Sequence, residues 1–189
     1  VTGVQTCALP ISKSFDVTTD YLSAENIENH KKLYEDYVSK FNETSARLDA
    51  VDRSSANSNH SDYRNLKLDE TFNMNGAYLH ELYFANIGSA SSTITMDSLS
   101  FMRLNRDFGS FDDWQKDYMN CFIDLHAEQV PVGMYPVIVM DMWQHAYYKD
   151  YLKDAPTYLN AMMKQLKWEV IESRIKKADK IIQIVRGAR

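Results

Sequence analysis

The chain has little cysteine, proline or glycine, no long apolar run and no excess of basic residues, and each absence excludes a class of protein. Its 189 residues include 2 Cys, 4 Pro and 6 Gly, which excludes a disulfide-stapled scaffold and a collagen-like or low-complexity chain. No apolar run approaches the roughly 20 residues that cross a bilayer. The formal net charge of -5 argues against a nucleic-acid partner, because phosphate binding needs a basic surface. We therefore expect no membrane span and no nucleic-acid partner, and the two cysteines favour a reducing compartment, the cytoplasm.

The residues that are present suffice for a globular protein with a hydrophobic core. Hydrophobic residues make up 44% of the chain and charged residues 25%, which suits one domain or two small domains. Residues 1–11 have neither a helical nor a strand period and resemble the translation of a common sequencing adaptor, so we set them aside as non-native. We expect an N-terminal domain over residues 12–88 and a C-terminal domain over residues 89–189.

The N-terminal domain is predicted to be a long antiparallel helical hairpin. From the candidate N-cap Ser23, apolar residues recur at spacings of three and four up to Leu48. A polar stretch over residues 52–62 predicts an exposed connection, and a second helix is expected from about Asp69 to Asn86. His30 and His80 fall on the inward stripes of these two helices.

The C-terminal domain is predicted to combine helices with a small antiparallel sheet, which gives an α+β fold. Short helices are expected over residues 96–106 and after Ser110. The run Pro136-Val137-Ile138-Val139-Met140 is apolar and rich in β-branched residues, which indicates a buried strand that stops at Asp141. The remainder reads as helical, including residues 142–152 and a last amphipathic helix over residues 168–184.

Four side chains form a candidate set of metal ligands. Asp141 and His145 are four residues apart, a spacing that can direct a carboxylate and an imidazole at one centre but that also occurs as a simple helix-surface hydrogen bond. A lone inward histidine is usually a hydrogen-bonded core residue. Here three of the chain's 5 histidines, His30, His80 and His145, are predicted to lie on buried faces, which is unusual. Imidazole and carboxylate without thiolate suit iron or manganese better than a structural zinc site.

The motifs around these residues resemble those of the iron/manganese superoxide dismutases. The segment Asp141-Met142-Trp143-Gln144-His145-Ala146-Tyr147-Tyr148 is similar to the family signature Asp-x-Trp-Glu-His-Ala-Tyr. The helix segment ending Asn75-Gly76-Ala77-Tyr78-Leu79-His80 and the helix entry Phe108-Gly109-Ser110-Phe111 are similar to family segments as well. The similarity covers roughly residues 27–174.

The resemblance implies an oxidoreductase that converts superoxide to dioxygen and hydrogen peroxide, an antioxidant activity. It implies one Mn or Fe ion per chain, a homodimer, and no further cofactor. The metal ligands that the resemblance assigns are three histidines and one aspartate, namely His30, His80, Asp141 and His145.

The resemblance also assigns residues around the metal. Family members use a glutamine or histidine to hydrogen-bond the metal-bound solvent, but Gly76 has no side chain and leaves space, so we assign this role to His126 in preference to Gln129. Tyr37 is assigned as the tyrosine at the substrate funnel, with Tyr34 as the competing choice.

Two departures from the family pattern define the alternatives. Gln144 stands where the family has a glutamate that bonds across the dimer interface, which weakens the expected homodimer. Between Phe122 and Leu125 the chain lacks two strands that the family has, so the expected sheet is truncated. The alternatives are an inactive or degenerate dismutase-like metal-binding protein, and a helical interaction module without metal.

Overall fold

A computed structural model describes residues 12–88, 93–122 and 135–187 of the chain, and these residues are mostly helical. A short 3-10 turn, Arg53–Ser55, lies between the first two α-helices. The α-helices of the described residues are α1 (Ala24–Ala50), α2 (Asp62–Asn86), α3 (Leu99–Phe108), α4 (Phe111–Phe122), α5 (Gln144–Tyr151), α6 (Ala155–Met163) and α7 (Trp168–Gly187).

The described residues divide into two compact units, with one boundary before α1, one inside α1 and one inside α2. The first unit contains residues 12–15 and Glu28–Glu81, and the second contains Asp16–Ile27 with the described part of residues 82–187. The expected domain boundary at residue 88 stays a prediction.

The first unit contains an antiparallel helical hairpin. The rings of His30 on α1 and His80 on α2 have centroids 5.0 Å apart. A second contact joins Tyr37, seven residues after His30, to Phe72, eight residues before His80, with ring centroids 5.8 Å apart. Contacts that advance along one helix while they retreat along the other define antiparallel packing. The hairpin that the apolar spacing predicts is therefore present.

Helix α2 begins earlier than predicted. It starts at Asp62 rather than near Asp69, because the Ser61 hydroxyl accepts a hydrogen bond from the Arg64 N–H at 3.3 Å and so caps the first turn. The connection before it is held by Asn57, whose N–H donates to Ser61 Oγ at 3.1 Å. The first helix is capped as predicted, since Ser23 Oγ accepts from the Asn26 N–H at 3.2 Å.

Helices α3 to α7 of the second unit are bounded by local hydrogen bonds and by one glycine. Ser98 caps α3, and Gly109 ends it with φ of 88°, a conformation that other residues rarely adopt. Ser110 Oγ accepts from the Asp113 N–H at 3.0 Å at the start of α4. Asp154 caps α6 in the same way. Trp114 and Trp168 pack edge to face at 5.7 Å and join α4 to α7.

The strand predicted over residues 136–140 is wrong. These residues have no regular secondary structure, and the part of the chain described here contains no strand beyond an isolated bridge between Ile87 and Leu166. A strand needs a neighbour for its backbone N–H and C=O groups. Here side chains take that place, because Val139 bonds to Asn86 through both its N–H and its C=O. The small antiparallel sheet stays a prediction.

None of the helices in the described ranges combines the length and the apolar character that a membrane span requires.

Candidate metal centre

Two of the predicted ligands form a buried histidine pair in the first unit. His30 is 3% exposed and His80 is 7% exposed, and their rings meet edge to face with centroids 5.0 Å apart. Their ligating nitrogens lie within 4.8 Å of each other. The helical phase of α1 and α2 brings these rings together, since both lie on the stripes that face the other helix.

The position of the Nδ1 hydrogen of His80 is set by a backbone carbonyl one turn earlier. His80 Nδ1 lies 2.7 Å from the Gly76 carbonyl oxygen. A carbonyl oxygen can only accept, so Nδ1 carries the hydrogen and donates it. In the neutral ring the lone pair is then on Nε2. This is the arrangement that metal-ligating histidines usually have, with one nitrogen fixed by a backbone carbonyl and the other available to the metal.

The Tyr37 ring packs directly against the backbone of Gly76. A Cβ atom added to Gly76 would lie 2.5 Å from the Tyr37 ring, so no side chain fits there. The Tyr37 ring also lies 5.2 Å from the His80 ring. The Tyr37 ring from α1 therefore packs where a side chain at position 76 would lie, and the space expected beside the metal stays a prediction.

Tyr34, the competing choice for the funnel tyrosine, is a hydrogen-bonded core residue. It is 1% exposed, its hydroxyl donates to Glu81 Oε1 at 3.1 Å, and it accepts from the Lys13 N–H at 2.9 Å. Burial raises the pKa of Tyr34, and the nearby Glu81 carboxylate raises it further. These contacts favour a structural role for Tyr34 and leave Tyr37 as the tyrosine next to a predicted ligand.

The other two predicted ligands form a corner at the start of α5 in the second unit. His145 Nε2 lies 3.0 Å from Asp141 Oδ2. The second carboxylate oxygen, Oδ1, accepts from the Trp143 N–H at 2.9 Å, which turns the chain into the helix. The Trp143 ring stacks over the His145 ring with centroids 6.4 Å apart. The two predicted ligands therefore face each other, as their spacing predicts.

The backbone of Asp141 is held by a buried tyrosine that pairs with a second one. The Tyr158 hydroxyl donates to the Asp141 carbonyl oxygen at 2.9 Å, and the Tyr83 hydroxyl lies 3.2 Å from the Tyr158 hydroxyl. Burial raises the pKa of both phenols, so both stay protonated at neutral pH. Neutral phenols leave Asp141 as the acidic group of this cluster.

The donor atoms fit iron or manganese. Each of the four residues offers one ligand atom that could hold a metal ion. Two ligand atoms about 2.1 Å from one ion are about 3 Å apart when their bonds meet at a right angle, and the Asp141–His145 separation of 3.0 Å matches this. In the absence of metal, His145 Nε2 donates its hydrogen to the Asp141 carboxylate. A metal ion bound to Nε2 would take the place of that hydrogen.

Three further residues named from the resemblance are His126, Gln129 and Gln144. His126 and Gln129 lie outside the described residues, so the assignment of His126 stays a prediction. Gln144, where the resemblance expects a glutamate, is the first residue of α5 and is exposed.

Asn86 and Arg174 hold the backbone just before Asp141, and the sequence motifs around the candidate ligands do not point to either residue. The signal for Arg174 was present, because it follows Trp168 and Ile171 at spacings of three on the inward face of α7.

Comparisons with known proteins identify the family. Residues 119–174 match the family model described as iron/manganese superoxide dismutases, C-terminal domain. The chain is 33% identical to the iron superoxide dismutase of Aquifex aeolicus over 87% of this chain and 89% of that protein. The same values hold for the iron superoxide dismutase of Aquifex pyrophilus. The chain therefore belongs to the iron/manganese superoxide dismutase family.

The relatives include proteins named for either metal, and they contain residues that this chain lacks. The manganese superoxide dismutase 1 of Halobacterium salinarum is 23% identical over 89% of this chain and 94% of that protein. The alignment with the Aquifex aeolicus protein covers 191 positions, which exceeds the 189 residues of the whole chain although only 87% of the chain is matched. The alignment must therefore contain gaps in this chain, and the internal deletion after Phe122 stays a prediction.

Proposed function

We propose that the chain is a superoxide dismutase that binds one iron or manganese ion through His30, His80, Asp141 and His145. Family membership supports the activity, and the two named metals among the relatives support the choice of iron or manganese. The observation that carries the ligand assignment is the tautomer of His80, whose Nδ1 donates to the Gly76 carbonyl at 2.7 Å, so that the lone pair of the neutral ring is on Nε2, the nitrogen that would ligate a metal.

The donor set suits a reaction with a small anion. Three neutral imidazoles and one carboxylate contribute a single negative charge, so a bound divalent or trivalent cation keeps a net positive charge that attracts superoxide. When bound, iron or manganese supplies the one-electron redox change by which one superoxide is oxidised to dioxygen and the next is reduced to hydrogen peroxide. The second half of the reaction consumes two protons, which must reach the substrate from solvent.

Tyr37 is the described residue best placed to act beside the histidine pair. Its ring lies 5.2 Å from the His80 ring and it is half-buried. Because its ring occupies the space at Gly76, we assign Tyr37 a role in limiting access to His80 and in donating a hydrogen bond near the substrate. His126 is kept as the proposed partner of the metal-bound solvent.

The proposal extends to a homodimer in the cytoplasm. Trp143 is 58% exposed and Tyr148 is 44% exposed, and aromatic residues exposed next to a functional corner favour a protein partner. The neutral Gln144 removes a charge that the family places at the dimer contact, so we expect the dimer to be weaker than in the family. The low cysteine content supports a reducing compartment.

Metal analysis of the full-length protein tests the proposal. We expect about one iron or manganese ion per chain after refolding with either metal, together with superoxide dismutation. His80→Ala should remove both the metal and the activity, whereas His60→Ala, at an exposed position of the loop before α2, should remove neither. Sedimentation of the same samples gives the number of subunits.

Two results would reject the proposal in part or in whole. A folded chain that binds metal without catalysing dismutation would favour the inactive family member, which the neutral Gln144 makes the specific second candidate. A folded chain that binds neither metal, with His80→Ala indistinguishable from the parent chain, would favour the interaction module.

A further inference from the structure

The segment that leads into Asp141 is held by side chains from two helices. The Asn86 side chain, at the end of α2, accepts from the Val139 N–H at 2.9 Å and donates to the Val139 carbonyl at 3.0 Å. This is the pair of bonds that a neighbouring strand would make. The Arg174 side chain, on α7, donates to the Val137 carbonyl at 3.0 Å. The irregular segment is thus tied at two alternate residues.

Arg174 is an unusual residue to find in this position. It is 5% exposed, and its described hydrogen bonds end on neutral oxygens, those of Asn86 Oδ1 at 3.0 Å, Val137 O at 3.0 Å and Leu82 O at 2.7 Å. Burial lowers the pKa of Arg174, although an arginine stays charged at any pH that proteins meet. Placing a guanidinium in the interior is unfavourable unless its donors are satisfied, and here it donates to two backbone carbonyls and to the Asn86 side-chain oxygen.

The backbone on either side of Ile87, at the end of α2, is itself held by hydrogen bonds. The Asn86 carbonyl accepts from the Lys167 N–H at 2.9 Å, and the Gly88 N–H donates to the Gln165 carbonyl at 2.8 Å. These bonds flank the bridge between Ile87 and Leu166 and join the end of α2 to the start of α7. The Tyr158 hydroxyl holds the Asp141 carbonyl at 2.9 Å on the other side of the segment.

We propose that Asn86 and Arg174 are positioning residues, which hold the backbone at Val137 and Val139 and thereby direct the Asp141 carboxylate as a metal ligand. This inference rests on the proposed function. Asp141 is only two residues beyond Val139, so a small rotation at Val139 displaces the carboxylate from the place where it meets His145. Residues that orient a ligand typically change metal affinity by about 10- to 100-fold when they are replaced.

Titration of the metal-free full-length chain with Mn²⁺ tests this inference, with free Mn²⁺ read from its electron paramagnetic resonance signal. We expect Asn86→Leu and Arg174→Met, which remove the side-chain hydrogen bonds, to weaken Mn²⁺ binding by about 10-fold or more. Hydrogen exchange at the Val139 amide is the metal-free readout, and it should be accelerated in Asn86→Leu.

Conservative variants keep the test informative if those two fail to fold. Asn86→Asp keeps an acceptor for the Val139 N–H and for Arg174 but loses the donor, and Arg174→Lys keeps the charge but cannot reach three oxygens at once. Both should weaken Mn²⁺ binding by less than the full removals do. Ile171→Ala is the matched control, because Ile171 lies on α7 and is 1% exposed but makes no bond to the segment.

The outcomes separate this inference from the proposed function. Weaker Mn²⁺ binding in the Asn86 and Arg174 variants, with Ile171→Ala within 2-fold of the parent chain, supports the positioning role. Parent-like binding by folded variants whose Val139 amide exchanges faster overturns the positioning role alone. Equal weakening by Ile171→Ala also overturns it, because general destabilisation would then explain the loss. A parent chain that binds no Mn²⁺ or Fe²⁺ overturns the proposed function and this inference with it.

Discussion

The histidine pair and the Asp141–His145 corner hold their side chains by different means. His30 and His80 are buried on two long helices, where the regular backbone fixes the direction of each Cβ and packing fixes the ring. Asp141 lies outside any helix, and its position depends on hydrogen bonds from side chains that are distant in sequence. The direction of a candidate ligand on a helix therefore follows from the helical phase alone. A candidate ligand on an irregular segment needs hydrogen bonds from other side chains to fix its direction.

The largest effect expected from this contrast is on the stability of the metal-free chain. His30→Ala should lower the free energy of unfolding by about 2–4 kcal/mol, because it leaves a cavity against the His80 ring in a buried site. His145→Ala should lower it by less than about 1 kcal/mol, because it removes one hydrogen bond from a solvent-exposed side chain. Urea unfolding of both variants without metal measures the difference. Equal losses would show that the corner is as deeply integrated in the fold as the pair.

A smaller effect is expected where Tyr37 packs on the backbone of α2. Gly76→Ala should destabilise the chain by about 1–3 kcal/mol, because the new Cβ would lie 2.5 Å from the Tyr37 ring and the ring must move. Thermal unfolding measures the loss.

The controls for this prediction come from a second glycine and from a double variant. Gly187→Ala, where nothing lies within 4 Å of the added Cβ, should change stability by only a few tenths of a kcal/mol. Tyr37→Ala combined with Gly76→Ala should recover part of the loss by removing the clash. A Gly76→Ala chain as stable as the parent would mean that the tyrosine can turn away freely.

The smallest effect is expected at Asp150, a carboxylate on α5 that bonds to residues at the start of α1. Asp150 Oδ2 accepts from the Ser23 N–H at 2.9 Å and from Asn26 Nδ2 at 3.0 Å. Desolvation raises the pKa of Asp150, but these hydrogen bonds outweigh it and leave the pKa below its usual value. A carboxyl group with a lowered folded-state pKa stabilises the fold above its unfolded-state pKa, and loses that contribution as the pH falls through the folded-state pKa.

Asp150→Asn isolates this charge, because asparagine keeps an acceptor oxygen. The variant should be less stable than the parent by under about 1 kcal/mol at pH 7, since solvent screens a largely exposed group. Urea unfolding at a series of pH values should show the gap closing below about pH 4, as the parent carboxylate is protonated. A gap that persists at pH 2 would assign the difference to hydrogen-bond geometry instead of charge.

The sequence predicted the helices more accurately than the irregular segments, for physical reasons. Ser23 and Ser110 each cap a helix where the sequence predicts a helix start, because capping depends on residues within one turn. The start of α2 was placed late, since the apolar period is weak before Leu66. The apolar run before Asp141 was read as a strand because apolar, β-branched residues indicate burial, and burial alone does not reveal which groups satisfy the backbone.

The sequence by itself determined the family, the hairpin, and the two pairs of candidate ligands as separate local patterns, because helical phase and four-residue spacing are properties of neighbouring residues. Only the tertiary structure decided that Tyr37 fills the space at Gly76, that the Gly76 carbonyl fixes the His80 tautomer, and that Asn86 and Arg174 replace a strand before Asp141. Apart from the Gly76–His80 bond, these contacts join residues between 37 and 88 positions apart. Hydrogen bonding and packing at such separations depend on how the helices meet in space, which no local pattern encodes.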